Sequence, residues 1–137
     1  LSAQIAAFAA RLPESDVADH GTLRGPRLMA LDGYREVFDR WLPLYRRLSA
    51  QSVDTAAAHT LTDIIATLDD TNVVRRGGAD EAARLKVEAA RLTHEFSAEA
   101  YARWCADVDR RGLSPGGAAD MLALTLLCHF LLTNDQQ

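Results

Sequence analysis

The chain is poor in the features that mark several protein classes. Only two cysteines, Cys105 and Cys128, occur among its 137 residues. They have neither CxxC spacing nor paired histidines, which argues against a disulfide framework or a structural zinc site and fits reduced thiols of a cytosolic protein. No strong charge imbalance exists: 15 Lys and Arg against 19 Asp and Glu give a formal net charge of -4 and a pI of about 5.5. That balance disfavours a dedicated nucleic-acid binder. The longest apolar run, Met121 to Leu132, is broken by Thr125 and His129 and reads as too short to span a bilayer. No secretory signal is visible. The sequence opens at Leu1 without an initiator methionine and already in helical pattern, which hints at truncation. Alternating apolar and polar residues never run past about four positions, so strands are not expected. Repeats and low-complexity segments are missing as well.

What is present is helical. Hydrophobic residues make up 48% of the chain, enough for a real core in one domain or in a fragment of something larger. Ile5, Phe8, Ala9 and Leu12 space a first short helix that stops near Pro13, before a loop carrying Gly21, Gly25 and Pro26. A longer helix is expected from Met29 or Asp32 to Gln51, kinked or split by Pro43. Asp54 is placed to cap a helix with the stripe Leu61, Ile64, Ile65 and Leu68. Ala79 to Leu92 forms an amphipathic helix with Lys86 and Arg84 outward, and Ser97 caps another that ends at Gly112. The last helix starts at Ser114. The expected fold is an all-α bundle of about six helices, residues 1–137 as a single domain, with no sheet.

Two polar islands interrupt this pattern. One is Ser114-Pro115-Gly116-Gly117-Ala118-Ala119-Asp120, where Ser-Pro supplies an N-cap followed by proline at the first helical position. Backbone N–H groups at Gly116 and Gly117 then form a helix start that attracts anions, phosphate above all. Asp120 shares their face with Leu124, Leu127, Cys128 and Leu131, a line that reads as core, so a carboxylate at its mouth calls for a partner. The other island is Asp69-Asp70-Thr71-Asn72-Val73-Val74-Arg75-Arg76-Gly77-Gly78, which reads as a loop between two helices. Each element has a plain structural reading too: Asp69 and Asp70 as a helix end, Arg75 and Arg76 as solvated side chains, Gly77-Gly78 as a helix stop and Ser114-Pro115 as an ordinary cap.

Together the islands resemble the C-terminal half of the triphosphoribosyl-dephospho-CoA synthases, all-α enzymes that serve citrate lyase and malonate decarboxylase. A weaker third match runs from Gly25-Pro26-Arg27 through Gly33-Tyr34 to Leu42-Pro43, with Leu28 and Met29 where the family usually has glycine and glutamate. The resemblance spans Gly25 to Leu132. The family's N-terminal half, with its Pro-Lys-Pro-Gly-Leu-Val-Asp type motif, is absent. The resemblance implies transfer of the 5-triphosphoribosyl unit of ATP to the ribose 2′-hydroxyl of 3′-dephospho-CoA, with adenine leaving, to make the prosthetic-group precursor of an acyl carrier protein in the cytoplasm.

That resemblance also implies a site. Asp70 and Asp120 become candidate catalytic carboxylates, because an oxocarbenium-like ribosyl centre is helped by nearby negative charge and by a proton acceptor. Asp69 and Asp70 are candidate ligands of the Mg²⁺ that accompanies ATP. Arg75, Arg76, Gly77, Gly78, Ser114, Gly116 and Gly117 are candidate phosphate contacts, with Asn72 and Arg27 as further candidates. A second chain or the missing half would complete the site, and a homodimer is one such arrangement; neither nucleic acid nor membrane is an expected partner. The alternative is a truncated, non-catalytic helical module that keeps a nucleotide pocket or an interaction surface. His59, Asp63 and Asp70 fall along one helical line that could bind metal but reads better as surface hydrogen bonding. His129 reads as a core histidine, His94 as a helix-end residue, and His20-Gly21 as a loop within reach of substrate. Trp41, Tyr45 and Trp104 read as core or helix interface.

Overall fold

The structure is a computed structural model that describes residues 1–13 and 25–134; His20 and Gly21 lie outside the described residues. Among those described, seven α-helices and no strand are present. The helix α1 (Ser2–Ala9) buries only Ala9, and Phe8 is 63% exposed, so the expected apolar face is not core. It docks through Ser2, whose Oγ donates to the Gly33 carbonyl at 2.7 Å.

One long helix was expected between Met29 and Gln51, and the structure divides it further. Pro26 opens a single turn, α2 (Pro26–Met29), followed by a 3₁₀ turn Ala30–Asp32 and a left-handed pair at Gly33 and Tyr34. A π-helical turn, Val37–Trp41, then leads into α3 (Leu42–Ser49). The Leu42 N–H reaches back five residues to the Val37 carbonyl immediately before Pro43. Proline has no N–H to continue the α ladder, and the helix divides there, in keeping with the expected kink or split, with a widened turn absorbing the defect. The outcome points Val37, Trp41, Leu42 and Tyr45 into the core, each at most 4% exposed.

Next, α4 (Val53–Thr67) is capped by Ser52, which accepts from Thr55 N at 3.3 Å; Asp54 sits inside the first turn. Its Ile64, Ile65 and Leu68 are buried as the stripe predicts, and Leu61 is half-buried. α4 is the central element, packed against α3, α5 and α7. Ser97 caps α6 (Ala98–Arg110) as expected. That helix ends in paired bonds from Gly112 N to Asp109 O and from Leu113 N to Val108 O, with Val108 and Leu113 both buried.

The second island was read as a loop, and here the structure differs most. Asp70 starts α5 (Thr71–His94), so residues 71–77 form its first turns. Gly78, at φ 84 and ψ 172, then bends the helix, a conformation that side-chain-bearing residues rarely adopt. The last helix, α7 (Gly116–Asn134), faces inward with Ala118, Met121, Thr125 and Cys128. Leu127 and Leu131 are 54% and 52% exposed and Asp120 is exposed, so the line drawn through them is not core. A helix apolar on every side carries no periodic mark of its inward face; packing at its first turn sets the rotation. From Gly116 to Thr133 the helix is also long and apolar enough, by length and composition alone, to cross a membrane, which corrects the expectation of too short a run. A core helix passes the same test.

Candidate functional site

The buried carboxylate of Asp70, 8% exposed, ties two helix starts together. Its Oδ1 accepts from Asn72 N at 2.9 Å and caps α5; its Oδ2 accepts from Ala118 N at 3.0 Å and caps α7 across the fold. Each helix brings unpaired N–H groups and the positive end of its dipole, so one anion satisfies both. The anion-attracting start of α7 is therefore occupied at Ala118 by a side chain of the protein itself.

Close approach explains the glycines. A Cβ on buried Gly117 would lie 3.1 Å from Asp70 Oδ2 and 3.2 Å from Pro26 Cγ. One on Gly116 would lie 2.9 Å from Asn72 Nδ2. All three sequence segments singled out above thus meet at the head of α7: Gly25-Pro26, Asp70 to Asn72, and Gly116 to Ala118. Gly116 N donates to the Ser114 carbonyl at 2.9 Å, and Ser114 itself is exposed.

The remaining candidates fan out from this junction. Asn72 Oδ1 accepts from Arg75 Nη2 at 3.0 Å, and both Arg75 and Arg76 are exposed on the first turns of α5. Gly77 packs against Leu113, where a Cβ would meet Leu113 Cδ2 at 2.5 Å, and exposed Gly78 makes the bend. Asp69 is partly exposed and pairs with Lys86 Nζ at 2.7 Å. Arg27 is exposed on α2, while Met29 is buried at 2%. Asp120 is exposed one turn into α7, outside the Asp70 junction.

Other titratable groups serve the fold. Asp63 accepts both Arg40 Nε at 2.7 Å and Arg40 Nη2 at 2.8 Å, a paired fork that raises the Arg40 pKa. His59 turns to the Thr93 carbonyl at 3.0 Å and stacks on Phe96, so His59 and Asp63 each engage in hydrogen bonding, the reading preferred over metal binding. Among the described residues no group of three or more His, Cys, Asp or Glu is placed to hold a metal ion. His129 packs edge-on to buried Tyr45. Trp41 is buried, and Trp104 donates through Nε1 to Glu88 at 3.2 Å. Sequence reasoning missed Arg111, 15% exposed, which locks the end of α6 onto α5 through Glu81 and Glu88. It also missed Lys86 as an inward partner of Asp69; an i, i+4 reading of α5 alone shows only its own face.

The described helices thus gather a buried carboxylate and two glycines at one helix head, with two exposed arginines nearby on α5. The family model described as ATP:dephospho-CoA triphosphoribosyl transferase (CitG) matches residues 22–137. The 2-(5''-triphosphoribosyl)-3'-dephosphocoenzyme-A synthase of Pectobacterium atrosepticum is 40% identical over 115 residues, covering 81% of this chain and 38% of that protein. The probable synthase 1 of Salmonella typhimurium is 37% identical over 117 residues, 79% of this chain and 39% of that one. A probable synthase of Malonomonas rubra is 34% identical over 89 residues, 58% of this chain and 27% of its own length. No solved structure matches. The chain belongs to the ATP:dephospho-CoA triphosphoribosyl transferase family, and it spans about two fifths of the length of the first two relatives.

Proposed function

We propose that this chain carries part of the site at which the triphosphoribosyl group of ATP passes to 3′-dephospho-CoA with release of adenine, in the cytoplasm. The meeting of the three motif segments around Asp70 is the observation that carries this reading. In the reaction the bond from ribose C1′ to the adenine nitrogen breaks, and the electron pair leaves with the base. The 2′-hydroxyl oxygen of the acceptor bonds to C1′, its proton goes to a carboxylate, and the departing base takes up a proton from solvent to leave as adenine. Asp70 holds the two helix starts in register and adds fixed negative charge near the developing cation. Asp120, open to solvent, is the candidate proton acceptor. Arg75 and Arg76, both exposed, would meet the polyphosphate, and Asp69, which is paired with Lys86 here, would ligate the Mg²⁺ that enters with ATP. Ser114, Gly116 and Gly117 shape the turn against which the substrates lie.

The rest of the family fold completes the site. The outer face of α7 supports this, since Leu127, Phe130 and Leu131 are each more than half exposed, and a helix apolar on all sides is normally enclosed. The part of the relatives that this chain does not span is the occupant we assign to that face. The test mixes the chain with the Pectobacterium atrosepticum protein lacking its matched segment and measures adenine release from ATP and 3′-dephospho-CoA. Turnover only in the mixture is expected. Turnover by the chain alone would refute completion by the missing part, a dimer in solution would make a second copy the occupant, and no turnover or MgATP binding in any mixture would leave the non-catalytic module.

A further inference from the structure

The bend at Gly78 creates a cavity of about 270 Å³ between the end of α4 and the two halves of α5. Its walls include Ile65, Leu68, Val73, Ala82 and Leu85, and the lining is mostly apolar. Charge is confined to Asp69, Asp70 and Lys86. Lys86 is the single lysine of the chain, and its ammonium meets Asp69 Oδ1 at 2.7 Å with both side chains 35% exposed. An apolar body with a charged rim suits a ligand built the same way: a flat neutral ring joined to a polyanion. Ala79, Ala82 and Ala83 keep one wall low, leaving room for the face of a ring.

We infer that this cavity seats the adenine ring of a nucleotide substrate, with Lys86 at the rim contacting its phosphates. The inference rests on the function proposed above, and ATP and dephospho-CoA share this chemistry, each carrying adenine on a phosphorylated ribose. On binding, Lys86 would exchange Asp69 for a phosphate oxygen, and Asp69 would become available to a Mg²⁺ carried by a triphosphate. Neither charge is left unpaired, which avoids the cost of stranding one at a half-buried rim.

The test uses the whole chain with labelled Ala, Ile, Leu and Val methyls, titrated with adenosine, ATP, 3′-dephospho-CoA and tripolyphosphate in the presence of Mg²⁺. The expected result is nuclear Overhauser contacts from adenine H2 or H8 to the methyls of Val73, Ala82 and Leu85. Whichever of ATP and 3′-dephospho-CoA gives these contacts is the source of the ring. Filling the cavity with Ala82→Leu, or with Ala83→Leu should the first variant fold poorly, should weaken that nucleotide at least tenfold and leave tripolyphosphate binding unchanged. Lys86→Gln should weaken the nucleotide and tripolyphosphate but not adenosine. Nucleotide binding without ring contacts to these methyls, contacts from the pantetheine arm instead, or no adenosine binding at all would each overturn the inference. Loss of tripolyphosphate binding alone, with ring contacts kept, would count against the phosphate reading and not against the cavity.

Discussion

Asp70 accepts a hydrogen bond from the backbone N–H of Ala118 at 3.0 Å, joining the start of α5 to the start of α7 across 48 residues of sequence. The same carboxylate caps its own helix through Asn72 N. Two helix dipoles thus share one buried anion, and the head of α7 is held where Gly117 can pack beneath it.

Removing that carboxylate should cost stability before it costs chemistry. Asp70→Ala strips two helix caps and leaves the buried Ala118 N–H without its acceptor, at about 1 kcal/mol per cap and up to about 2. A fall in urea midpoint equivalent to about 2–4 kcal/mol, with an unchanged slope, is the expected result. Asp70→Asn should recover only part of it, because one amide oxygen cannot accept from both N–H groups in this geometry. An Ala variant as stable as the parent chain would show that the double cap carries no weight.

The neighbouring glycines should respond in opposite ways to the same substitution. Alanine in a helix gains about 1 kcal/mol over glycine from propensity alone. At Gly116 the new methyl meets only the end of the Asn72 side chain, which can swing aside, so Gly116→Ala should be neutral or stabilising. At Gly117 it meets Asp70 Oδ2 and Pro26 Cγ, and Asp70 is pinned by two hydrogen bonds. Gly117→Ala should therefore lower the melting temperature, by an overpacking cost of about 1–3 kcal/mol that outweighs propensity. Thermal unfolding of the two variants side by side checks the sign of each.

How legible this was depends on the kind of signal. The all-α class, the Ser97 cap, the Gly112 stop and the buried Ile64, Ile65 and Leu68 follow from local periodicity and capping chemistry, which the structure respects. The family was legible from the two islands, since the pairing of Asp-Asp-Thr-Asn with Ser-Pro-Gly-Gly is specific. The placement of Asp120 was not. It was assigned through a helix with apolar residues on all sides, whose rotation is set by long-range packing of Ala118, Met121, Thr125 and Cys128 and by the contact to Asp70. The island at Asp69 was read as a loop because polar residues and two glycines mark turns; Asp70 as an N-cap turned it into helix, and only Gly78 kept the turn-like conformation. Lys86 was seen as outward because its partner Asp69 lies beyond the bend.

Acid should loosen the clamp between α5 and α6. Glu88 is partly desolvated, which raises its pKa, but bonds from Arg111, Trp104 and Arg84 outweigh this and lower it below the usual carboxylate value. A carboxylate depressed in the folded state contributes stability that is fully present above its unfolded pKa of about 4.3 and is lost as pH falls through the lower folded value. Urea midpoints measured from pH 7 down to about 3 should fall below pH 5. Glu88→Gln should lower the midpoint at pH 7 and flatten part of that acid limb; an unchanged limb would remove Glu88 from the account.

The binding prediction separates Arg76 from Asp120. Arg76 is exposed on the second turn of α5, so Arg76→Ala should leave the melting temperature nearly unchanged. If its guanidinium faces the triphosphate, the variant loses a charge-assisted contact worth about 1.5–3 kcal/mol, a roughly ten- to hundredfold loss of MgATP affinity by calorimetry. Arg75→Ala should lose less, because Arg75 already spends one donor on Asn72. Asp120→Ala should keep MgATP affinity within about twofold, since an exposed anion that touches neither the metal nor the phosphates contributes nothing to holding a polyanion. The same Asp120 variant should abolish adenine release in the completed enzyme if Asp120 takes the proton of the 2′-hydroxyl. Parent-like turnover would move that proton to another carboxylate, whereas a loss of MgATP binding in Asp120→Ala equal to that in Arg76→Ala would place Asp120 with the metal and triphosphate instead of with the acceptor.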